Sequence, residues 1–155
     1  MFRLTNKTAV VSGAASGIGA AIARALADAG AFVYVADLDA AGGAAVVAAI
    51  SEAGGLAEFL NLDVSDEGSC RAAARHVLEA NGGRCDILVN NAGIGHVGTA
   101  LTTTGEDLDR LYAVNVKGVL FLSQAFLPAM IARQSGSIIN LASIAGIVGI
   151  RDRLA

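Results

Sequence analysis

A glycine-rich turn near the start of the chain, Ser12-Gly13-Ala14-Ala15-Ser16-Gly17-Ile18-Gly19, restricts the possible folds more than any other feature. An apolar run leads into this turn, and an alanine-rich stretch with helical spacing leads out of it. A strand that enters a glycine turn opening a helix is typical of a site for a dinucleotide pyrophosphate. The turn brings backbone N–H groups close to the phosphates, and the helix N-terminus adds a partial positive charge. We therefore expect an α/β domain with a nucleotide at this turn.

Strand-like and helix-like runs alternate along the rest of the chain. The predicted strands are Thr8–Val11, Phe32–Ala36, Ala57–Leu62, Ile87–Asn90 and Ser137–Leu141. The predicted helices are Ile18–Ala29, Ala40–Ala53, Asp66–Asn81 and Glu106–Arg133. Most strands are continuous apolar runs, as expected for parallel strands that are covered on both faces. The pattern predicts one Rossmann-like domain over residues 1–155, a doubly wound parallel sheet with strand order 3-2-1-4-5.

Local signals suggest where two of the helices begin and how one is interrupted. Ser65 and Thr104 are candidate N-caps, and Asp107 lies three residues after Thr104, as in a capping box. Pro128 lies inside the longest predicted helix and removes one backbone hydrogen bond, so we expect a kink or an early helix end there.

Composition and charge exclude several classes of partner. Hydrophobic residues make up 54% of the chain and charged residues 16%, which indicates a folded domain. The formal net charge of −3 gives no broad basic surface, so nucleic acid is not expected as a partner. Neither a secretory signal nor a membrane span is predicted, and Cys70 and Cys85 have no partners at metal-ligand spacing. We expect a cytoplasmic protein without a metal or a membrane partner.

An acidic residue after the second strand indicates which nucleotide binds. Asp37 is positioned to accept hydrogen bonds from the adenosine ribose hydroxyls, and its charge would repel a 2′-phosphate. Neither Arg nor Lys occurs between Gly13 and Gly19 to offset that repulsion, so NAD is favoured over NADP. The alternative role for Asp37, as a helix N-cap, competes with Asp39, which is at least as well placed for it.

Five ordered motifs resemble those of one known family, the short-chain dehydrogenase/reductases. They are Ser12-Gly13-x-x-Ser16-Gly17-Ile18-Gly19, Asn61-Leu62-Asp63-Val64, Asn90-Asn91-Ala92-Gly93, Asn115-Val116-Lys117-Gly118 and Asn140-Leu141-Ala142-Ser143. The resemblance covers essentially all 155 residues. It is greatest to the short, single-domain NAD(P)-dependent alcohol dehydrogenases and ketoreductases of that family.

The resemblance implies a role for each cofactor-binding position. The turn residues Gly13, Ser16, Gly17 and Gly19 would bind the pyrophosphate, and Ile18 would lie beside the nicotinamide. Asp63 and Val64 would bind the adenine, although Asp63 could instead only cap the next helix. Asn91, Ala92 and Gly93 would form a wall of the cofactor site, with a mainly structural alternative for Asn91, which could tie neighbouring strands together.

Two further positions would belong to the chemistry. By the same resemblance, Ser143 would hydrogen-bond the substrate oxygen and Asn115 would hold a water of a proton relay. The structural alternatives are a serine that satisfies a loop backbone group and an asparagine satisfied by backbone. His96 follows the fourth strand as a candidate substrate contact, without a carboxylate nearby in the sequence to orient it as a catalyst. Tyr112 and Lys117 are interpreted as structural residues of the long helix.

One part of the family pattern is missing from this chain. The family has a Tyr followed four residues later by a Lys shortly after the serine, and the chain stops about where that Tyr is expected. It also lacks the helix and two strands that follow in the family. We consider a truncated record of a normal enzyme, half of a split enzyme, and a non-catalytic remnant, and we favour the first. The full-length protein would be a homodimer or homotetramer.

The sequence therefore predicts an NAD(H)-dependent oxidoreductase that interconverts a small-molecule secondary alcohol and a ketone. Its activity would need a Tyr-x-x-x-Lys pair that this chain does not contain, so the 155-residue chain alone is expected to be inactive. The alternative is a non-catalytic module that binds a dinucleotide or a partner protein.

Overall fold

A computed structural model describes residues 3–152 of the chain. Five strands and five helices alternate along it, apart from the consecutive helices α4 and α5. The elements are β1 (Thr8–Ser12), α1 (Gly17–Asp28), β2 (Phe32–Asp37), α2 (Ala40–Glu52), β3 (Leu56–Asn61), α3 (Glu67–Ala80), β4 (Ile87–Asn90), α4 (Gly105–Tyr112), α5 (Gly118–Ala132) and β5 (Ser137–Asn140). A short 3-10 turn follows β5 at Ile144–Gly146. All predicted strands are present, with bounds that differ by one residue at most at each end.

The five strands form one parallel sheet in the order β3-β2-β1-β4-β5. This order confirms the predicted Rossmann-like topology. Successive strands are added in one direction from β1 to β3 and in the other direction from β4 onward, so β1 and β4 flank the position where ligands bind in sheets of this class. The register aligns the carboxyl ends of the strands, with Ser12 opposite Ala36 and Asn90 opposite Asn140. One edge of the sheet therefore collects the loops that follow all five strands.

Apolar side chains cover both faces of the sheet in alternation. Val10 and Leu88 face α3 and α5, whereas their neighbours Val11 and Val89 face α1 and α2. These central strand residues are fully buried. The continuous apolar runs that were used to predict parallel strands thus supply both layers of the core.

The long predicted helix, Glu106–Arg133, is divided into three parts. α4 ends at Tyr112, a wide π-helical turn spans Ala113–Lys117, and α5 runs from Gly118 to Ala132. The prediction of an early end at Pro128 is wrong, because α5 continues beyond it. Leu122, Phe126 and Met130, four residues apart, form the buried face of α5.

The helix N-caps confirm one sequence prediction and correct another. Thr104 caps α4 in a capping box: its hydroxyl accepts the Asp107 N–H, and the Asp107 carboxylate accepts the Thr104 N–H. The prediction of Ser65 as the cap of α3 is wrong. Asp66 caps that helix and accepts the N–H groups of Gly68 and Ser69. Its carboxylate reaches two donors, whereas Ser65 lies one residue too early.

The helical run from Gly105 to Ala132 is long and apolar enough to cross a membrane by length and composition alone. Buried core helices can meet the same criteria. Here the inner face of α5 packs on α3 and the sheet, and α4 begins with Glu106 and Asp107.

Candidate functional site

Two clefts open side by side at the carboxyl edge of the sheet. The first, here called the glycine cleft, is lined by Gly13, Ser16, Asp37, Leu38, Leu62, Asp63, Val64, Asn91, Ala92, Gly93, Ile94 and Val114. The second, here called the serine cleft, is lined by Ile94, Gly95, Asn115, Ala142, Ser143, Ala145, Gly146, Ile147 and Ile150. Ile94 lines both, so the two clefts meet at this residue. The glycine cleft brings together eight of the eleven predicted cofactor-binding residues.

The glycine turn lies against the loop that follows β4. Gly13 has a φ of +65°, and a Cβ atom placed on it would lie 2.8 Å from the Ala92 Cα. Neither the conformation nor the space would suit a larger residue. Gly17, Ile18 and Gly19 form the first turn of α1 rather than the wall of the glycine cleft, and Ile18 is 66% exposed.

Ser16 occupies the N-cap position of α1 without capping it through its side chain. A serine at this position normally uses its hydroxyl to accept an N–H of the first turn. The first-turn N–H groups of α1 therefore have no acceptor from the N-cap side chain, and Ser16 itself lines the glycine cleft. This arrangement suits an anion.

Asp37 lies at the end of β2 with its carboxylate held by backbone N–H groups. Oδ2 accepts the Ala15 N–H at 3.0 Å, and Oδ1 accepts the Asp39 N–H at 3.1 Å. A carboxylate has about four acceptor positions, so Asp37 can still accept hydrogen bonds from further donors. The alternative role as a helix cap is filled by Asp39, which accepts the Gly42 N–H at 3.0 Å.

Asp63 and Val64 form the opposite side of the glycine cleft. Asp63 Oδ1 accepts both the N–H and the hydroxyl of Ser65, at 2.9 and 2.6 Å, so its side chain closes a local turn. The alternative role of Asp63 as the cap of α3 is wrong, since Asp66 fills it. Val64 is buried against Gly118 at the start of α5.

Ser12 and Asn91 join the ends of β1 and β4. The Ser12 hydroxyl accepts the N–H groups of Asn91 and Ala92, both at 3.1 Å, and donates to the Val89 carbonyl. The Asn91 amide donates to the carbonyls of Ser12 and Gly13 at 2.8 and 3.0 Å. Asn91 thus ties neighbouring strands together, as its structural alternative predicted. The supporting role of Ser12 was missed, although its place at a strand end before the glycine turn is a readable signal.

The Asn115 side chain makes two hydrogen bonds to one backbone residue. Its Oδ1 accepts the Ile94 N–H and its Nδ2 donates to the Ile94 carbonyl, both at 2.9 Å. Asn115 lies in the middle of the wide turn between α4 and α5, a kind of helix irregularity that is frequent at functional sites. Ile94, the residue directly after Asn-Asn-Ala-Gly, was also missed by the sequence reasoning.

Ser143 lies at the start of the 3-10 turn after β5, with its side chain in the serine cleft. Its Oγ accepts the Ala145 N–H at 3.2 Å, which is the structural alternative considered for it. The hydroxyl hydrogen is not used in that contact. Ser143 can therefore satisfy the loop and still donate to an oxygen in the cleft.

His96 contacts α4 instead of lining either cleft. Its Nε2 lies 3.1 Å from Thr103 Oγ1, and its Nδ1 lies 3.7 Å from Asp107 Oδ1. Asp107 is distant from His96 in the sequence and comes close to it because the loop folds back on the start of α4. The Thr104 backbone N–H and hydroxyl, followed by the charges of His96 and Arg110, hold the pKa of Asp107 below its usual range.

Neither tyrosine of the chain lines a cleft. Tyr34 is buried in the core, where burial raises its pKa despite a hydrogen bond from Asn81. Tyr112 lies on α4 with the Lys117 ammonium 5.8 Å from its ring centre, consistent with a structural pair. Neither therefore matches the acid–base group that the family pattern places after the serine.

Within residues 3–152, no group of three or more His, Cys, Asp or Glu side chains could hold a metal ion. Cys70 and Cys85 are both buried, and burial raises the pKa of each thiol to about 12. Both are therefore protonated and unreactive at neutral pH.

Comparison with known proteins identifies the family. The model of the family described as short chain dehydrogenase matches residues 7–154. This chain belongs to the short-chain dehydrogenase family. The D-threitol dehydrogenase of Mycolicibacterium smegmatis is 41% identical to it over 154 residues, a match that covers 99% of this chain.

Solved structures of family members share the fold closely. A metagenomic short-chain oxidoreductase in complex with NADP is 46% identical, with a TM-score of 0.92 over 97% of this chain. A short-chain dehydrogenase/reductase from Burkholderia phymatum in complex with NAD is 34% identical, with a TM-score of 0.92 over 99% of this chain. Family members that resemble this chain thus include one bound to each cofactor.

This chain spans only part of the length of its relatives. It covers 59% of the D-threitol dehydrogenase, 68% of the NADP-bound structure and 54% of the NAD-bound one. The sequence motifs and the five-stranded sheet described above correspond to that shared part.

Proposed function

We propose that the protein is an NAD(H)-dependent oxidoreductase that interconverts a secondary alcohol and a ketone. The observation that most supports this function is the meeting of the two clefts at Ile94. A dinucleotide extended along the glycine cleft would end next to the serine cleft, where the Ser143 hydroxyl is located. The chemistry that a bound nicotinamide supplies is hydride exchange with a carbinol or carbonyl carbon.

The residues of the glycine cleft fit a dinucleotide. The Gly13 backbone leaves the space that a Cβ atom would fill, and the first-turn N–H groups of α1 suit a pyrophosphate. Gly17, Ile18 and Gly19 would act through that first turn, with Ile18 beside the nicotinamide. Asp63 and Val64 would bind the adenine, and Asn91, Ala92 and Gly93 would form the wall behind the cofactor.

The choice of NAD over NADP rests on Asp37. Its carboxylate is held in place by the N–H groups of Ala15 and Asp39 and would accept the ribose hydroxyls. A 2′-phosphate at the same place would meet a fixed negative charge. The glycine cleft includes neither Lys nor Arg among its described lining residues.

Fluorescence titration of the full-length protein with NADH and NADPH tests this choice. We expect NADH to bind at least tenfold more tightly, since two like charges at hydrogen-bond distance cost more than about 1.4 kcal/mol. Asp37→Ser should weaken NADH and strengthen NADPH binding. Asp28→Ser is the matched control, because Asp28 lies at the far end of α1. Equal or tighter NADPH binding by the unmutated protein would contradict the proposal.

For the reaction itself, Ser143 would donate its hydroxyl hydrogen to the substrate oxygen. Asn115 would hold the backbone of Ile94 in place. A relay water would bind either to the amide positions of Asn115 that Ile94 does not use or to backbone groups of the wide turn. The proton would be transferred by a Tyr-x-x-x-Lys pair that the residues of this sequence do not supply. We propose that the full-length protein contains that pair and that the 155-residue chain alone is inactive.

One observation favours a second candidate function, a non-catalytic module that binds a dinucleotide. Among the described lining residues of the serine cleft, none has a titratable side chain. Steady-state NADH production with a panel of secondary alcohols separates the two candidates. Turnover by the full-length protein that is lost in Ser143→Ala supports the enzyme, whereas tight NADH binding without turnover supports the binding module.

A further inference from the structure

Most of the side chains that this chain gives to the serine cleft are apolar. The cleft has a volume of about 650 Å³, a size that suits a small organic molecule. The side chains of Ile94, Ile147 and Ile150 line it together with two alanines and two glycines. Ile147 is 84% exposed and Ile150 is 41% exposed, so both have surface that a ligand could cover.

The two polar side chains of the cleft offer a substrate one directed donor. The Asn115 amide makes hydrogen bonds to the backbone of Ile94 through both its oxygen and its nitrogen. Ser143 accepts the Ala145 N–H and keeps its own hydrogen for donation. The Ser143 hydroxyl can therefore donate a hydrogen bond to one substrate oxygen, the oxygen bonded to the reacting carbon.

None of the described residues that line the cleft is charged. Arg151 and Asp152 follow Ile150 but are paired with each other at 3.6 Å, and both are largely exposed. His96 and Asp107 contact each other on the side of the loop that faces α4. Neither pair is among the residues that line the cleft.

We propose that the natural substrate bears an apolar alkyl or aryl group next to the reacting carbon, rather than the hydroxyl groups of a polyol. This inference rests on the function proposed above. The apolar side chains of this wall offer polyol hydroxyls no hydrogen-bond partner, and each hydroxyl that leaves water without one costs roughly tenfold in affinity. An apolar group would cover the three isoleucines instead. The expected substrate differs in this respect from the polyol named for the D-threitol dehydrogenase relative.

Substrate competition with the full-length protein tests the inference. The probes are 1-phenylethanol and 2-octanol against D-threitol and sorbitol, with whichever of NAD or NADP gives faster turnover. We expect kcat/KM to be at least tenfold higher for the apolar pair, because the polyols leave two or more hydroxyls unpaired. A preference for the polyols would overturn the inference and leave the oxidoreductase function standing. Folded protein that binds NADH and oxidises neither class would contradict both.

A substitution in the serine cleft tests how much its apolar side chains contribute to substrate preference. Ile147→Asn should lower kcat/KM for 1-phenylethanol about tenfold, mainly through KM, and leave that for D-threitol unchanged or higher. Leu56→Asn is the matched control, since Leu56 is 64% exposed at the amino end of β3, on the opposite edge of the sheet. Ile147→Leu should retain the preference. An equal loss for both substrates in Ile147→Asn would overturn the inference, provided that thermal unfolding matches the control.

Discussion

Among single residues, Gly19 occupies the position where the first turn of α1 passes closest to its neighbours. A Cβ atom there would overlap the Gly13 carbonyl oxygen and approach the Asn91 amide nitrogen. Both neighbours are fixed: Gly13 by its turn, and Asn91 by its hydrogen bonds to the end of β1. The close approach of the helix to the sheet therefore depends on the smallest residue at this position.

We predict that Gly19→Ala destabilises the protein by about 3 kcal/mol or more, since overpacking against backbone cannot be relieved by side-chain movement. NADH affinity should fall at the same time, because the first turn of α1 would move. Urea unfolding and fluorescence titration measure the two effects. Gly105→Ala is the control: an added Cβ meets nothing within 4 Å at the start of α4, so stability should be unchanged or slightly higher. A Gly19→Ala protein as stable as the control would contradict the close-packing argument.

At the scale of elements, two side-chain contacts attach the loop after β4 to the helical segments that follow it. Near its start, Ile94 is held by the Asn115 side chain, and further along, His96 contacts Thr103 and Asp107 at the beginning of α4. Asp107 also belongs to the capping box of α4. The loop that joins the two clefts is thus positioned by the wide turn and by the start of α4.

We predict that His96→Ala loosens this loop without unfolding the domain. Loss of its hydrogen bond costs about 1 kcal/mol, so amide hydrogen exchange over residues 94–104 should become roughly fivefold faster. His76→Ala is the matched control. His76 is half exposed on α3 and contacts only Glu58 and the Tyr34 ring among described partners. Unchanged exchange over 94–104 in His96→Ala would contradict the role assigned to this contact.

The elements also show which parts of the fold were predictable. Runs such as Thr8–Val11 and helical spacing after Gly17 depend on neighbouring residues, so the sequence was sufficient to predict β1 and α1. The wide turn at Ala113–Lys117 was not predictable, because it accompanies a contact between Asn115 and Ile94, which lie 21 residues apart. The carboxylate beside His96 was not predictable for the same reason, because only the fold brings Asp107 close to it. The motifs indicated which residues meet at the glycine cleft, but they did not indicate that the Ser143 hydroxyl would accept the Ala145 N–H.

For the molecule as a whole, the edge at the carboxyl ends of the strands and the edge at their amino ends hold different features. The carboxyl edge holds both clefts, whereas the amino edge holds a buried carboxylate, Asp86, that joins three parts of the chain. Asp86 accepts the Thr8 N–H at 3.0 Å and pairs with Arg133 after α5 at 2.8 Å. Lys7 and Arg84 lie within 3.4 Å of the same carboxylate. Burial alone would raise the pKa of Asp86, but these hydrogen bonds and charges outweigh it and lower the pKa from 3.8 to about 2.

This carboxylate should make stability depend on pH. Because its pKa is lowered in the folded state, its contribution is present above the unfolded pKa and is lost as pH falls from about 4 to about 2. The contribution is about 2 kcal/mol, since each pKa unit is worth about 1.4 kcal/mol. We predict that Asp86→Asn lowers the free energy of unfolding by about 2 to 4 kcal/mol at pH 7. The loss of stability between about pH 4 and about pH 2 should then be smaller than in the unmutated protein.

Urea unfolding of the full-length protein between pH 2 and pH 7 measures that loss. Glu67→Gln is the control, because it breaks only the exposed ion pair with Arg71 and should cost less than about 1 kcal/mol. NADH affinity, measured where both variants are folded, should stay unchanged in Asp86→Asn, since the carboxylate lies on the edge opposite the clefts. A weakened NADH affinity in the folded variant would show that the two edges are coupled.

The wide turn between α4 and α5 also fixes the rotational phase of everything that follows it. One residue more or less in a helix rotates the remainder by about 100° around the axis. Leu122, Phe126 and Met130 point into the core with the turn as it is. The wide turn takes up one extra residue without such a rotation, so deleting one residue from Ala113–Lys117 would leave the apolar stripe facing the core. The extra residue therefore serves to position Asn115 against Ile94, and that contact is expected to be lost on deletion.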